Sequence, residues 1–173
     1  MNNYRPISII PVVAKVFERV VYDQIFAFLN GNNLFSRYQS GFRCLHSTVT
    51  ALLEATGNWA CDIDRGNVNA VVFLDLKKAF DTVDHEILLS MLNIYGVGDT
   101  ANNWFKSYLN GHNQKCFVNG CLSQNRSLAC GIPQGTILGP LLFILYINDL
   151  PNCLSYIQPR MYADDTNLSF ASQ

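Results

Sequence analysis

Residues 159–170 read Pro159-Arg160-Met161-Tyr162-Ala163-Asp164-Asp165-Thr166-Asn167-Leu168-Ser169-Phe170, with two adjacent acids between apolar flanks. The pattern predicts a strand, a tight turn and a second strand, with Asp164 and Asp165 at the tip of the hairpin. A solvated turn accounts for paired acids equally well, because Asp is a favoured turn residue. A further acid, Asp75, separates the two readings.

Asp75 follows Ala70-Val71-Val72-Phe73-Leu74 and precedes Leu76. An apolar run of β-branched and aromatic residues without alternation predicts a buried central strand over 70–76. An ionised carboxylate there is costly unless it is paired or binds a metal. One reading pairs Asp75 with Lys77 or Lys78, or makes it a strand-end cap. The other brings Asp75 to Asp164 and Asp165 across adjacent strands, so that the acids hold divalent cations. Oxygen ligands without a His or Cys constellation point to Mg²⁺ or Mn²⁺. Two such ions about 3.5–4 Å apart can activate an attacking hydroxyl and stabilise a leaving phosphate oxygen.

The charge distribution fits a cation site. The chain of 173 residues has a formal net charge of −1, a weak electrostatic footprint for a nucleic-acid binder. Residues 61–100 nevertheless carry seven acidic and three basic side chains, against three acidic and five basic over 1–60. Hydrophobic residues make up 49% of the chain, enough for one sizeable core. The six cysteines show no C-x₂-C spacing, which argues against a zinc site and a disulfide framework and points to an intracellular setting, nuclear or cytoplasmic. The start of the chain has no signal-peptide pattern. The longest apolar run, 137–147, is broken by Gly139-Pro140 and is too short to span a bilayer, so no membrane partner is expected.

Periodicity and caps predict the remaining elements. Apolar residues at 12, 13, 16, 17, 20, 21, 25, 26, 28 and 29 give a broad core-facing helix, opened by Pro11 and stopped by Asn30-Gly31. A second helix starts at Ser47 or Thr48 and runs towards Asp62. Asp84-His85-Glu86 opens a third, ended by Gly96; Asp99 or Thr100 caps a fourth, ended by Asn110-Gly111. Residues 114–119 and 124–129 alternate as a hairpin joined through Gly120. Gly131-Ile132-Pro133-Gln134-Gly135 forms a loop, and Pro140 begins a helix reaching about Asn148. With no repeat or linker, the order of elements predicts one α+β unit, a small and largely antiparallel sheet flanked by helices.

Five ordered segments carry more specificity than either acid site: Asn3-Tyr4-Arg5-Pro6-Ile7-Ser8; Gln39-Ser40-Gly41-Phe42-Arg43 with His46-Ser47-Thr48; Leu74-Asp75-Leu76-Lys77-Lys78-Ala79-Phe80-Asp81; Gly131 to Pro140; and Tyr162-Ala163-Asp164-Asp165. In this order they resemble the fingers and palm motifs of a reverse transcriptase, most closely those of jockey-like non-LTR retrotransposons, over nearly the whole chain.

The resemblance implies an RNA-directed DNA polymerase core that joins a deoxynucleotide to a primer 3′-hydroxyl on an RNA or DNA template, using two Mg²⁺ or Mn²⁺ ions. Asp75, Asp164 and Asp165 would be its metal ligands and catalytic triad. Phe80 would be the steric gate against a ribose 2′-hydroxyl, and Gln134 with Gly135 would lie against the incoming dNTP or the template base. Arg5 would reach the triphosphate, and Leu76 would line the nucleotide site. Tyr162, Lys77, Lys78, Arg43 and His46 are the candidate contacts to the RNA template and DNA primer, with solvated surface charge the other reading of the four basic residues. Asp81 and Asp84 read as caps of the following helix.

On the same resemblance, residues 1–69 are mainly fingers and connecting helices and 70–173 mainly palm. The chain ends eight residues past Asp165. The expectation is therefore a fragment of a longer polyprotein, without the thumb, that exposes apolar surface and is prone to aggregate. A catalytically silent remnant, acting at most as a nucleic-acid or protein interaction module, is the alternative. An RNA-product polymerase is disfavoured by Phe80. A nucleotide cyclase would want a Gly-Gly-[Asp/Glu]-Glu-Phe turn in place of Tyr-Ala-Asp-Asp.

Overall fold

A computed structural model describes residues 7–155 and 157–172. Arg5 lies outside these residues. Helices α1 (Val12–Gly31) and α2 (Thr48–Asp64) lead to strand β1 (Val68–Leu74) and a 3₁₀ turn over Ala79–Thr82. Helices α3 (His85–Ile94) and α4 (Asp99–Leu109) follow. An arm of two-residue strands comes next: β2 (Asn113–Gln114), β3 (Phe117–Val118), β4 (Cys121–Leu122) and β5 (Arg126–Ser127). Helix α5 (Leu138–Tyr146), a 3₁₀ turn over Leu150–Cys153 and strands β6 (Gln158–Tyr162) and β7 (Asp165–Ser172) complete an α+β fold.

The caps explain several helix boundaries. Ser47 forms a reciprocal capping box with Thr50 at the head of α2. The Asp84 carboxylate accepts from the N–H groups of Glu86 and Ile87 at 2.8 and 3.0 Å and starts α3. Asp99 is the first residue of α4 rather than its cap, which is Gly98. Helix α5 begins two residues before Pro140, within the tolerance of proline for a first turn. Thr136 Oγ1 accepts from the Gly139 N–H at 2.8 Å and closes that turn.

The core forms around α5. Residues Leu141 to Leu145 are all buried, as expected of a helix that is apolar on every side. α5 packs against α1 and α3, and α4 packs against α3. The apolar face predicted for α1 enters this core only through its second half. Leu29 is buried and Val21, Ile25 and Phe26 are partly so, whereas Val12, Val16 and Phe17 are exposed.

The sheet has the order β1-β7-β6, antiparallel throughout, with α2 against β1 and β6. β1 is therefore an edge strand and not the central strand its composition predicts. Its last three residues, Val72, Phe73 and Leu74, are exposed, and Phe73 keeps 74% of its surface. An unalternating apolar run requires cover on both faces. The described residues supply α2 on one side and leave the strand's outer edge open.

The arm departs from the simple hairpin expected over 114–129. β3 pairs with β4 and β2 with β5, around a turn in which Asn119 and Gly120 both have positive φ. That is the backbone a two-residue hairpin connection favours. It shifts the returning strand to 121–127. Among the described residues no helix is long and apolar enough to cross a membrane.

Candidate active site

The hairpin predicted for the paired acids is present. Tyr162 pairs with Asp165, and Ala163 and Asp164 form the turn between β6 and β7. Ala163 has φ 56, a left-handed conformation that costs a residue with a Cβ about 1–2 kcal/mol. β1 pairs with β7 up to Leu74↔Thr166. Asp75 follows immediately, one residue beyond the strand rather than within it, at the end of the sheet that carries Asp165. The three acids thus share one end of a sheet, as expected from adjacent strands.

Their side chains are less gathered than their backbones. Asp75 and Asp165 are exposed and Asp164 is half-buried. Among the described residues no group of three or more His, Cys, Asp or Glu side chains is close enough to hold a metal ion. The three carboxylates fit Mg²⁺ or Mn²⁺ in donor type and in backbone position. The rotamers shown do not converge on a common point.

Beside Asp164 lies an open cavity of about 220 Å³. Phe80, Gln134, Gly135 and Lys78 line it, along with Phe42, Asp81 and Pro140. Chain segments distant in sequence meet here because the loop at 131–135 is fastened to the 3₁₀ turn. Ile132 N–H donates to Phe80 C=O, and Gly131 N–H donates to Val83 C=O, both at 2.8 Å. The buried imidazole of His85 contacts Gly131 C=O through Nε2 at 2.8 Å. Gly131 has φ 89, and a Cβ on it would come within 2.7 Å of Asp81 C=O, so only glycine fits this approach. Ser8 N–H donates to Gln134 C=O at 2.8 Å, which ties the segment before α1 to the same loop.

The cavity walls are rigid on one side. The Phe80 ring stacks on Phe143 of α5 with centroids 4.2 Å apart, and Phe42 meets it edge-on at 6.5 Å. Phe80 is thereby tied to the core and still faces the cavity. Gln134 Nε2 donates to the Asp81 carboxylate at 3.3 Å. Asp81 therefore orients the glutamine, while Asp84 alone caps α3. Phe42 and Asp81 both lie within the ordered motif segments, but residue type and spacing assigned neither to this cavity.

The remaining candidates fall outside it. Leu76 and Lys77 are exposed beyond β1. Tyr162 is half-buried at the end of β6. Arg43 donates to the carbonyls of Ser36 and Gln39 at 2.9 and 3.4 Å and lies over the Phe35 ring, so its guanidinium braces the loop before α2. His46 is exposed, with Nδ1 3.0 Å from Cys44 C=O.

The acid-tipped hairpin and the cavity lined by Phe80 and Gln134 lie within a chain that matches a known family over its whole length. The family described as reverse transcriptase (RNA-dependent DNA polymerase) matches residues 1–173. The chain belongs to the reverse transcriptase family.

It is related to the non-LTR retrotransposon enzymes of the jockey, X-element and BS elements. The chain is 34% identical over 175 residues to the probable RNA-directed DNA polymerase from transposon X-element of Drosophila melanogaster, covering 99% of this chain and 19% of that protein. It is 32% identical to the corresponding protein from transposon BS of the same fly, covering 99% and 20%. It is 29% identical to the RNA-directed DNA polymerase from mobile element jockey of D. melanogaster, covering 96% and 19%. The chain spans about a fifth of the length of the curated relatives it matches. The α+β architecture is that of a palm and fingers module, with no separate thumb among the described residues. Membership of the reverse transcriptase family places the chain among nucleotidyltransferases and implies a divalent-metal-dependent mechanism in general.

Proposed function

We propose that this chain is the nucleotidyl-transfer core of an RNA-directed DNA polymerase, adding deoxynucleotides to a primer 3′-hydroxyl on an RNA or DNA template during retrotransposition. The observation that carries this reading is the cavity in which Phe80, Gln134, Gly135 and Asp164 meet. Residues 1–69 serve mainly as fingers and 70–173 mainly as palm.

In this reading the dNTP occupies the cavity with its sugar against Phe80, whose ring takes the space of a ribose 2′-hydroxyl. The base or its template partner rests on the Gln134–Gly135 segment, where Gly135, at φ 96, allows the backbone to come close. The primer 3′-hydroxyl gives its proton to solvent as its oxygen attacks the α-phosphorus, the bond to the oxygen bridging to the β-phosphate breaks, and pyrophosphate leaves. Asp75, Asp164 and Asp165 would hold two Mg²⁺ or Mn²⁺ ions, which would lower the pKa of the attacking hydroxyl and neutralise charge on the phosphates. Lys78, at the cavity wall, faces the triphosphate; Arg5, outside the described residues, is assigned to the triphosphate on the family resemblance alone. Leu76 borders the nucleotide, and Lys77, Tyr162, Arg43 and His46 border the template and primer.

Primer extension on an RNA template is the test, using both the chain alone and a chimera that carries it in place of the matching segment of the X-element polymerase. Incorporation of dNTPs that disappears in Asp164→Ala is the expected result. A chimera that folds and yet incorporates nothing with Mg²⁺ or Mn²⁺ would leave the chain as a silent interaction module.

A further inference from the structure

Gln39 is the least exposed polar residue described, at 1%. A buried amide is costly unless its donors and acceptor are matched. Here the match is the turn that carries the acids. Gln39 Oε1 accepts from the N–H of Ala163 at 2.9 Å and from the N–H of Gly41 at 2.7 Å. Gln39 Nε2 donates to the carbonyl of Ala163 at 3.2 Å.

Both backbone groups of Ala163 are thus held by one side chain, 124 residues away in sequence. The β6–β7 ladder cannot serve them, because Ala163 lies inside the turn beyond the Tyr162↔Asp165 pair. The loop around Gln39 is fixed to the same hairpin: Met161 N–H donates to Tyr38 C=O and Ser40 N–H to Met161 C=O, both at 2.8 Å. Gly41 completes the fit, since a Cβ there would lie 2.2 Å from Ala163 N. Ala163 meanwhile keeps a left-handed φ that its own side chain disfavours.

We infer that Gln39 is a positioning residue for the acids: its amide clamps Ala163 in the conformation that aims Asp164 and Asp165 at the cavity end of the sheet. The inference rests on the polymerase reading. A clamp of this kind acts on metal affinity and on turnover, much as outer-shell partners do in metal sites.

The test uses Mn²⁺ binding by the 173-residue chain, followed by electron paramagnetic resonance, for wild type, Gln39→Met and Leu92→Val. Methionine keeps the volume of glutamine and removes its hydrogen bonds. Leu92→Val loosens the core of α3 away from the hairpin and controls for lost stability. Gln39→Met is expected to bind Mn²⁺ about tenfold to a hundredfold more weakly, with the amide of Ala163 exchanging faster by NMR, while Leu92→Val binds as wild type. In the X-element chimera, Gln39→Met lowers kcat and leaves KM for dNTP unchanged. Wild-type Mn²⁺ affinity in Gln39→Met, or a loss matched by Leu92→Val at equal Tm, overturns the positioning role and leaves the polymerase reading standing. Absence of Mn²⁺ binding by the wild-type chain also overturns it, and the polymerase reading is then judged separately by incorporation in the chimera.

Discussion

The phenol of Tyr108 donates to the carboxylate of Glu18 at 3.0 Å, joining α4 to α1. The other oxygen of Glu18 accepts from the Ile137 N–H at 2.7 Å, so one buried acid links three helices. Removing one partner should cost less than removing the acid. Tyr108→Phe is expected to lower unfolding free energy by about 1 kcal/mol, and Glu18→Ala, which strands two donors, by about 3 kcal/mol. Urea denaturation with an unchanged m-value checks both; equal losses would contradict this arrangement.

The same tyrosine makes the fold sensitive to alkali. Burial, then the Glu18 charge, push the Tyr108 hydroxyl well above the ordinary tyrosine value. Burial also raises Tyr22, where Cys44 adds to the effect, and Tyr95. Below pH about 10 both folded and unfolded chains keep these protons, and the stabilisation is fully present. Above it the unfolded chain ionises first, so stability falls as pH rises. Tm should therefore decline more steeply above pH about 10 in wild type than in Tyr108→Phe.

Glycines in two places should respond in opposite directions. Gly131→Ala meets the Asp81 backbone at 2.7 Å and a φ of 89, and is expected to cost at least about 2 kcal/mol. Gly57, mid-helix in α2, has nothing within 4 Å of an added Cβ, and Gly57→Ala should stabilise by about 0.5–1 kcal/mol. Thermal unfolding of the two variants compares them directly.

Sugar selection should depend on Phe80 and its support. In the chimera, Phe80→Ala is expected to raise rNTP relative to dNTP incorporation by about tenfold to a hundredfold. Unchanged selectivity would remove Phe80 as the gate.

Asp81→Ala should raise KM for dNTP by releasing Gln134, whereas Asp81→Asn retains an acceptor for the glutamine amide and should stay near wild type. Steady-state kinetics at saturating primer–template measures both. Equal KM values for the two variants would show that the 3.3 Å contact does not orient Gln134.

Local chemistry accounts for what was readable in the chain. Ser47, Asp84 and Gly120 each act on backbone within a few residues of themselves, so these helix starts and the hairpin tip follow from neighbours alone. Asn30-Gly31 remains inside α1, which ends one residue later at the cap Asn32. The hairpin that carries the two acids was likewise legible, and Phe80 and Gln134, singled out by the ordered motifs, line one cavity. The burial of β1 was misjudged because an apolar run records a demand for cover and says nothing of what supplies it. The exposed first half of α1 has the same cause.

Which side chains share a space is a different matter. Gln134 reaches Asp81 across 53 residues of sequence, and Gln39 reaches Ala163 across 124. These meetings depend on how α5 stacks beneath Phe80 and how the loop before α2 lies on β6. Residue types and spacing were sufficient for the hairpin and its two acids. The cavity beside Asp164 and the amide that clamps its turn arise from packing between segments far apart in the chain, which no local pattern encodes.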